Sequence, residues 1–211
     1  MKVIIISGGN PPSKELLTSE ITEDAYLIAA DSGANCLYDY NIEPDLLLGD
    51  FDSIDKGVLD YFKKCNCTID TYPTEKDFTD TEIAVEKALC MKPNEIVFLG
   101  CTGSRVDHLL GNIGMLKICL KNGVSAFIKD ENNSIRLTNA STSLKGTMGQ
   151  IFSVQSYGNE IIGLTIEGAK YPLNNYNLKI GESITISNEF VRSEVKLKFK
   201  SGMLLIVLPL D

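Results

Sequence analysis

Two periodicities alternate along the first 130 residues. Continuous apolar runs at Val3-Ser7, Tyr26-Ala30, Leu46-Leu48, Thr68-Asp70, Ile96-Leu99 and Ala126-Ile128 read as buried strands. Between them, apolar residues recur at helical spacing near Lys14-Glu20, Ala34-Tyr40, Lys56-Lys64, Asp80-Met91 and Asp107-Lys121. Strand–helix alternation of this kind predicts a mostly parallel sheet with helices on its faces. In the fourth helix Thr79 and Glu82 stand in capping-box spacing, Ala84, Val85, Ala88 and Leu89 share a face, and Pro93 marks the end. The fifth is apolar nearly all round, from Leu109 to Leu120, and is expected to be the most buried.

After about Lys129 the pattern changes to short alternating segments broken by Gly, Asn and Pro, which predicts an all-β half. Val195 to Lys200 alternates three apolar residues with three lysines. With Ser201-Gly202 and Met203-Leu208 it predicts a hairpin, its lysine face solvated and its second strand buried. Ile184 and Ile186 suggest another alternating strand, interrupted by Ser187-Asn188-Glu189-Phe190. The expected fold class is therefore α/β plus all-β. An N-terminal mostly parallel sheet domain over residues 1–130 precedes a C-terminal β-sandwich over 131–211, joined near Glu131-Asn132-Asn133-Ser134.

Composition narrows the functions. With 20 Lys and Arg against 28 Asp and Glu the net charge is -8, which disfavours nucleic acid as a partner. Anionic substrates remain compatible where Mg²⁺ supplies local positive charge. Val3-Ile6 is too short for a signal-peptide core, and no stretch approaches the roughly 20 apolar residues of a membrane span. Six irregularly spaced cysteines read as free thiols in a reducing compartment. The expectation is a cytoplasmic protein that spans no membrane.

In a parallel sheet the ligand crevice lies beyond the carboxyl ends of the strands. The segments that follow the first five strands are polar or glycine-rich: Ser7-Asn10, Asp31-Asn35, Gly49-Ser53, Thr74-Asp80 and Gly100-His108. Asp50 and Asp52, two residues apart with Gly49 relieving crowding, can aim oxygens at one hard cation; alternatively they are turn residues, with Ser53 capping the next helix. Asp77 and Asp80 at the next strand end strengthen the metal reading, although Asp80 in a first helical turn is also favoured by the helix dipole. Gly100, Gly103 and Arg105 ahead of a helix supply the parts of a phosphate cradle or an ordinary glycine turn. His108, the single histidine, shares a helix face with Arg105 and Asn112, and it either faces the crevice or serves a capping network. No hydrolase triad or zinc motif accompanies it. Asp31 or Ser32 would cap the second helix, with Gly33 behind.

Together these segments resemble the thiamine pyrophosphokinase family. The resemblance rests on Asp31-Ser-Gly-Ala-Asn35, Pro44-Asp45 through Gly49-Asp-Phe-Asp-Ser53, Lys76-Asp-Phe-Thr-Asp80, Gly100-Gly103 with Arg105-Val-Asp-His108 and Gly111-Asn112, and Ser187-Asn-Glu-Phe190. It implies Mg²⁺-dependent transfer of a diphosphate from ATP to the hydroxyl of thiamine, with release of AMP. Carried onto this chain, it implies metal-side carboxylates at Asp50, Asp52 and Asp77, with Asp80 close by. Asp31, Ser32, Gly33, Gly49, Gly100, Gly103, Arg105, Asp107 and His108 would surround the nucleotide. Ser187, Asn188 and Phe190 would hold thiamine. Phe190 would stack on its pyrimidine in place of the tryptophan that animal members carry, since this chain has no Trp. The resemblance also implies a homodimer with the active site near the subunit interface. Two other readings share the Asp-x-Asp signal: a metal-dependent nucleotide-sugar glycosyltransferase, and a non-catalytic nucleotide or thiamine sensor.

Overall fold

The computed structural model describes residues 1–210. It divides into two compact units, Met1–Glu131 and Asn132–Asp211.

The first unit alternates β1 (Lys2–Ile6), α1 (Lys14–Glu20), β2 (Ala25–Ala30), α2 (Gly33–Tyr40), β3 (Leu46–Gly49), α3 (Lys56–Phe62), β4 (Thr68–Thr71), α4 (Asp80–Cys90), β5 (Glu95–Leu99), α5 (Val106–Lys121) and β6 (Ser125–Lys129). Its strands run in the order β6-β5-β1-β2-β3-β4, each pair parallel. Strand alternation sorts the apolar residues onto two faces. Ile4, Ile6, Leu27, Ala29, Leu47, Val97 and Leu99 pack with Leu17, Leu37, Val58 and Phe62 from α1, α2 and α3. The alternate residues serve the other face, where α4 contacts β1–β3 and α5 contacts β6. β1 to β4 build outward in one direction and β5 lies on the far side of β1, so the order reverses between β1 and β5. That reversal is where a ligand crevice forms.

Helix boundaries have local causes. Ser13 accepts from Leu16 N–H and Thr79 from Glu82 N–H, each satisfying a donor that the first turn leaves free. Ser53 does not cap α3; Asp55 stands at that position, and the Ser53 hydroxyl donates to Asp52 Oδ1 at 2.7 Å instead. The expectation for α5 is also corrected. Leu116 and Cys119 are buried, but Val106 and Leu110 are 64% and 63% exposed, whereas α4 buries five residues. An all-round apolar pattern states how much cover a helix could use, and in this unit α4 and β6 supply cover on one side.

One buried ion cluster lies in this unit. Glu20, 8% exposed, accepts from Lys129 Nζ at 2.6 Å and from Lys2 Nζ at 2.5 Å. Burial pushes its carboxyl pKa up, but the two ammonium groups outweigh burial and hold it below the ordinary glutamate value. The stabilisation is therefore complete above the unfolded-state pKa and is lost as pH falls through the lower folded value. Replacing Glu20 with Gln takes the carboxylate from Lys129 and leaves Lys2 with only Glu95 at 3.7 Å, and is expected to cost about 2–4 kcal/mol, read from urea unfolding at neutral pH. The deficit should shrink toward acid pH, where wild-type Glu20 also loses its charge.

The second unit contains β7 (Asn133–Thr138), β8 (Thr142–Lys145), β9 (Ile151–Ser156), β10 (Ile161–Glu167), β11 (Leu173–Leu178), β12 (Asn188–Glu189), β13 (Glu194–Lys198) and β14 (Leu204–Pro209). Two antiparallel sheets, β12-β9-β14-β7 and β11-β10-β13-β8, share one core of Leu144, Phe152, Val154, Leu164, Ile166, Val195, Leu197, Leu204 and Ile206. This is a β-sandwich. The expected 195–208 hairpin is absent. β13 pairs with β8 and β10, β14 pairs with β7 and β9, and Ser201-Gly202 carries the chain from one sheet to the other. Alternation had the faces right, with Val195 and Leu197 buried and Lys196 and Lys198 exposed, but it does not specify a strand's partner. Nor is there a strand at 184–186; Ile184 and Ile186 sit 53% and 44% exposed in a turn.

Candidate active site

At the carboxyl ends of β1–β5 the loops enclose a cleft of about 590 Å³. Its floor is made of backbone packed too closely for side chains. Ser7 N–H donates to Leu99 O, Gly9 N–H to Gly100 O and Asn10 N–H to Thr102 O, which locks the β1 loop to the β5 loop across the reversal point. A Cβ on Gly9 would lie 2.2 Å from Thr102 O, and one on Gly33 would lie 2.2 Å from Ile6 O. Gly100 adds a left-handed backbone, φ 64°, with Ser7 O where its Cβ would be. Below the floor Cys101 Sγ, Ser7 Oγ and Thr81 Oγ1 form a buried chain of hydrogen bonds. Burial pushes the Cys101 thiol up to about 12, so it is no nucleophile at neutral pH.

Along one wall Asp31, Asp50 and Asp52 each bring a carboxylate oxygen within 4.8 Å of the others. Gly49 makes this possible: a side chain there would meet Asp31 Cβ at 3.1 Å. Asp31 itself takes a left-handed φ of 46°, unusual for a residue with a Cβ, and its Oδ1 is buried with no hydrogen-bond partner. Asp50 Oδ1 accepts from Asp52 N–H at 3.1 Å and its Oδ2 from Lys76 Nζ at 3.1 Å, while the same ammonium stands 3.2 Å from Asp80 Oδ1.

The electrostatics follow from that crowding. Burial raises the pKa values of Asp31 and Asp80, and neighbouring carboxylates raise them further. At Asp50 burial acts the same way, but Asp52 N–H and Lys76 outweigh it and hold the carboxyl below the ordinary range. An all-carboxylate donor set with an orphaned buried oxygen suits a hard divalent cation of the Mg²⁺ type.

The opposite wall is formed by Gly100–Arg105 and the start of α5. Asn112 Nδ2 donates to Cys101 O at 2.8 Å and ties that loop to the helix, and Arg105 and His108 line the cleft beside it. Asp107 is not among the cleft-lining residues; it grips the Arg105 guanidinium at 2.6 Å, which holds its own carboxyl down at about 2. Both groups are exposed, so the pair orients Arg105 more than it stabilises the fold.

The structure thus brings Asp31, Ser32, Asp50, Asp80, Gly100, Gly103, Arg105 and His108 to the cleft, with Asp52 joined through the acidic group. Gly33 and Gly49 act from behind by permitting close packing. Asp77 is not brought to the acidic group: it is exposed and off the lining, and Asp31 takes the third place. Gly8, Gly9 and Asn10, Lys76 and Phe78 also line the cleft. Lys76 lay in plain view between acidic residues, but the reach of its ammonium to Asp50 is a tertiary fact.

Both family models match consecutive stretches of this chain. The catalytic domain of thiamin pyrophosphokinase matches residues 17–128, and the vitamin B1 binding domain of the same enzyme matches 134–204. The chain belongs to the thiamin pyrophosphokinase family. Thiamine pyrophosphokinase of Bacillus subtilis (strain 168) is 34% identical over 216 residues, covering all of both chains. The crystal structure of thiamine pyrophosphokinase from Bacillus subtilis superposes with a TM-score of 0.91 at 32% identity, again over all of both chains. That of thiamin pyrophosphokinase from Geobacillus thermodenitrificans gives 0.88 at 27% identity, covering 100% of this chain and 98% of the other. Members of the family are diphosphotransferases, and neither the glycosyltransferase nor the sensor reading gains support from these likenesses.

In the vitamin-binding unit the three expected thiamine contacts separate. Ser187 is exposed, in a left-handed turn with φ 55°. Asn188 is buried and spends its amide on Tyr171, accepting from its N–H at 3.0 Å and donating to its carbonyl at 2.8 Å. The stacking role expected of Phe190 is corrected: its ring is 0% exposed and packs edge-on against Phe152 at 5.1 Å. An aromatic after three polar residues looked like a ligand contact, but a β-bridge to Ala169 turns it into the core. The exposed ring in this neighbourhood is Tyr171, 56% accessible, with Lys170 Nζ 5.9 Å from its centroid.

Proposed function

We propose that this chain transfers a diphosphate from ATP to the hydroxyl of thiamine, with Mg²⁺ as cofactor, yielding thiamine diphosphate and AMP. The observation that carries the reading is the convergence of Asp31, Asp50 and Asp52 beside a glycine-floored cleft, in a chain matched by both family domains. Asp31, Asp50 and Asp52 would hold the metal ion, which when bound neutralises charge on the phosphate chain. The close-packed β1 and β5 loops let the nucleotide's phosphates approach backbone, and Arg105, braced by Asp107, supplies a forked cation. The substrate hydroxyl oxygen bonds to the β-phosphorus, its proton passing to solvent, while the bond from that phosphorus to the α–β bridging oxygen breaks and AMP departs on the opposite side. Such a transfer needs alignment and charge neutralisation more than covalent help.

On the vitamin side, the Asn188 latch and the accessible ring favour Tyr171, with Ser187, as the contacts for thiamine. We assign the active form as a homodimer in which the vitamin-binding unit of one subunit serves the nucleotide cleft of the other. Six cysteines free of disulfides suit a cytoplasmic setting.

Incubating the protein with ATP, Mg²⁺ and thiamine should produce AMP and thiamine diphosphate in equal amounts; ADP, or no turnover, would reject the reading. In the same assay Tyr171→Ala should raise the KM for thiamine roughly three- to tenfold, as expected for loss of one stacking contact, and leave the KM for ATP within error. Equal effects on both substrates would remove Tyr171 from the vitamin site.

A further inference from the structure

The acidic wall has a cationic partner built into the chain. Lys76, on the loop between β4 and α4, is 12% exposed at its side chain and reaches Asp50 Oδ2, Asp80 Oδ1 and Pro73 O, all within 3.2 Å. It also lines the same cleft as Gly8, Gly100 and Arg105. Of Asp50's two oxygens, one is held by the peptide N–H of Asp52 and the other by Lys76. A divalent ion that takes Asp50 as a ligand comes close to the lysine ammonium on the same carboxylate, and the two like charges repel. The peptide N–H is fixed by the backbone, whereas the lysine ammonium sits on four rotatable bonds, so the lysine is the one that can yield.

We infer that Lys76 is a resident counter-cation: it occupies Asp50 until a divalent ion arrives, then gives up that oxygen and turns to the phosphate chain of the nucleotide. The inference rests on the metal-site reading above. It places Lys76 in antagonism with the metal and in cooperation with the nucleotide. A lysine that merely pinned the loop would help both or neither.

The opposed signs make the test. The full-length protein is titrated with Mn²⁺ in the absence of nucleotide, with free Mn²⁺ followed by electron paramagnetic resonance. ATP binding is then measured calorimetrically in saturating Mn²⁺ without thiamine, so that no turnover occurs. Lys76→Met should bind Mn²⁺ about tenfold more tightly than wild type, because a unit positive charge beside Asp50 is gone. The same variant should bind ATP about tenfold more weakly, for want of a charge-assisted hydrogen bond to phosphate. Lys76→Arg, which keeps the charge, should stay near wild type in both. Unchanged or weaker Mn²⁺ binding by Lys76→Met, or unchanged ATP binding, overturns the inference. Melting curves in chelator establish that each variant is folded; should Lys76→Met fail, Lys76→Gln, which keeps a polar head without the charge, is held to the same two signs. Asp52→Asn separates the two claims. If it leaves Mn²⁺ binding intact, the metal site itself is misplaced and the inference falls with it; if it abolishes binding while Lys76→Met does not tighten it, the metal site stands and the role of Lys76 fails alone.

Discussion

Asp50→Asn is expected to lower turnover about a hundred- to a thousandfold, the scale on which removal of one preorganised charge from a metal-assisted site is felt. Asn preserves shape, its single carbonyl oxygen can still accept from Asp52 N–H, and Lys76 keeps Asp80 and Pro73 O, so the fold has little reason to change. What goes is the one carboxylate that touches both halves of the charge arrangement: the acidic group with Asp31 and Asp52, and the ammonium shared with Asp80. The concentration of Mg²⁺ needed for half-maximal rate should rise in step. Steady-state rates of AMP formation across a Mg²⁺ series check this, with thermal melting as the fold control. Wild-type rates at an unaltered Mg²⁺ requirement would take Asp50 out of the site.

The second large effect belongs to a residue with no side chain. Gly100→Ala places a methyl group 2.2 Å from Ser7 O on a backbone at φ 64°. The left-handed conformation alone costs an alanine roughly 1–2 kcal/mol, and the clash is with main chain, which cannot rotate aside. The β1 and β5 loops must part, breaking the bond from Gly9 N–H to Gly100 O at 2.7 Å. Stability is expected to fall by at least about 3 kcal/mol in urea unfolding, and ATP binding should be lost even where the protein remains folded. A variant with normal stability and normal ATP affinity would show that the two loops are not held together as described.

The first unit was largely legible from its sequence, because burial on both faces of a parallel sheet leaves continuous apolar runs that few other structures produce. Its cleft was legible for the same reason: once strands are placed, whatever follows them must converge at one end. The failures share a physical cause. Pattern reports which face of an element is apolar, not which element lies against it. The exposed side of α5, the change of sheet at Ser201-Gly202 and the burial of Phe190 are all questions of partner. Exchange of Asp77 for Asp31 in the acidic group is another case, since Asp31 follows β2 and Asp77 follows β4, and only the fold decides which carboxylate reaches Asp50 and Asp52. Tyr171 left no trace at all; its connection to Asn188 spans 17 residues and exists only through the fold.

Asp31 makes visible a conflict between endurance and work. A residue with a Cβ is held in backbone geometry that glycine would adopt freely, with a carboxylate oxygen desolvated among other carboxylates. A polypeptide selected for thermal robustness alone would shed that aspartate early. On the metal-site reading proposed above, its presence marks the spot where this chain gives up resilience to keep its chemistry.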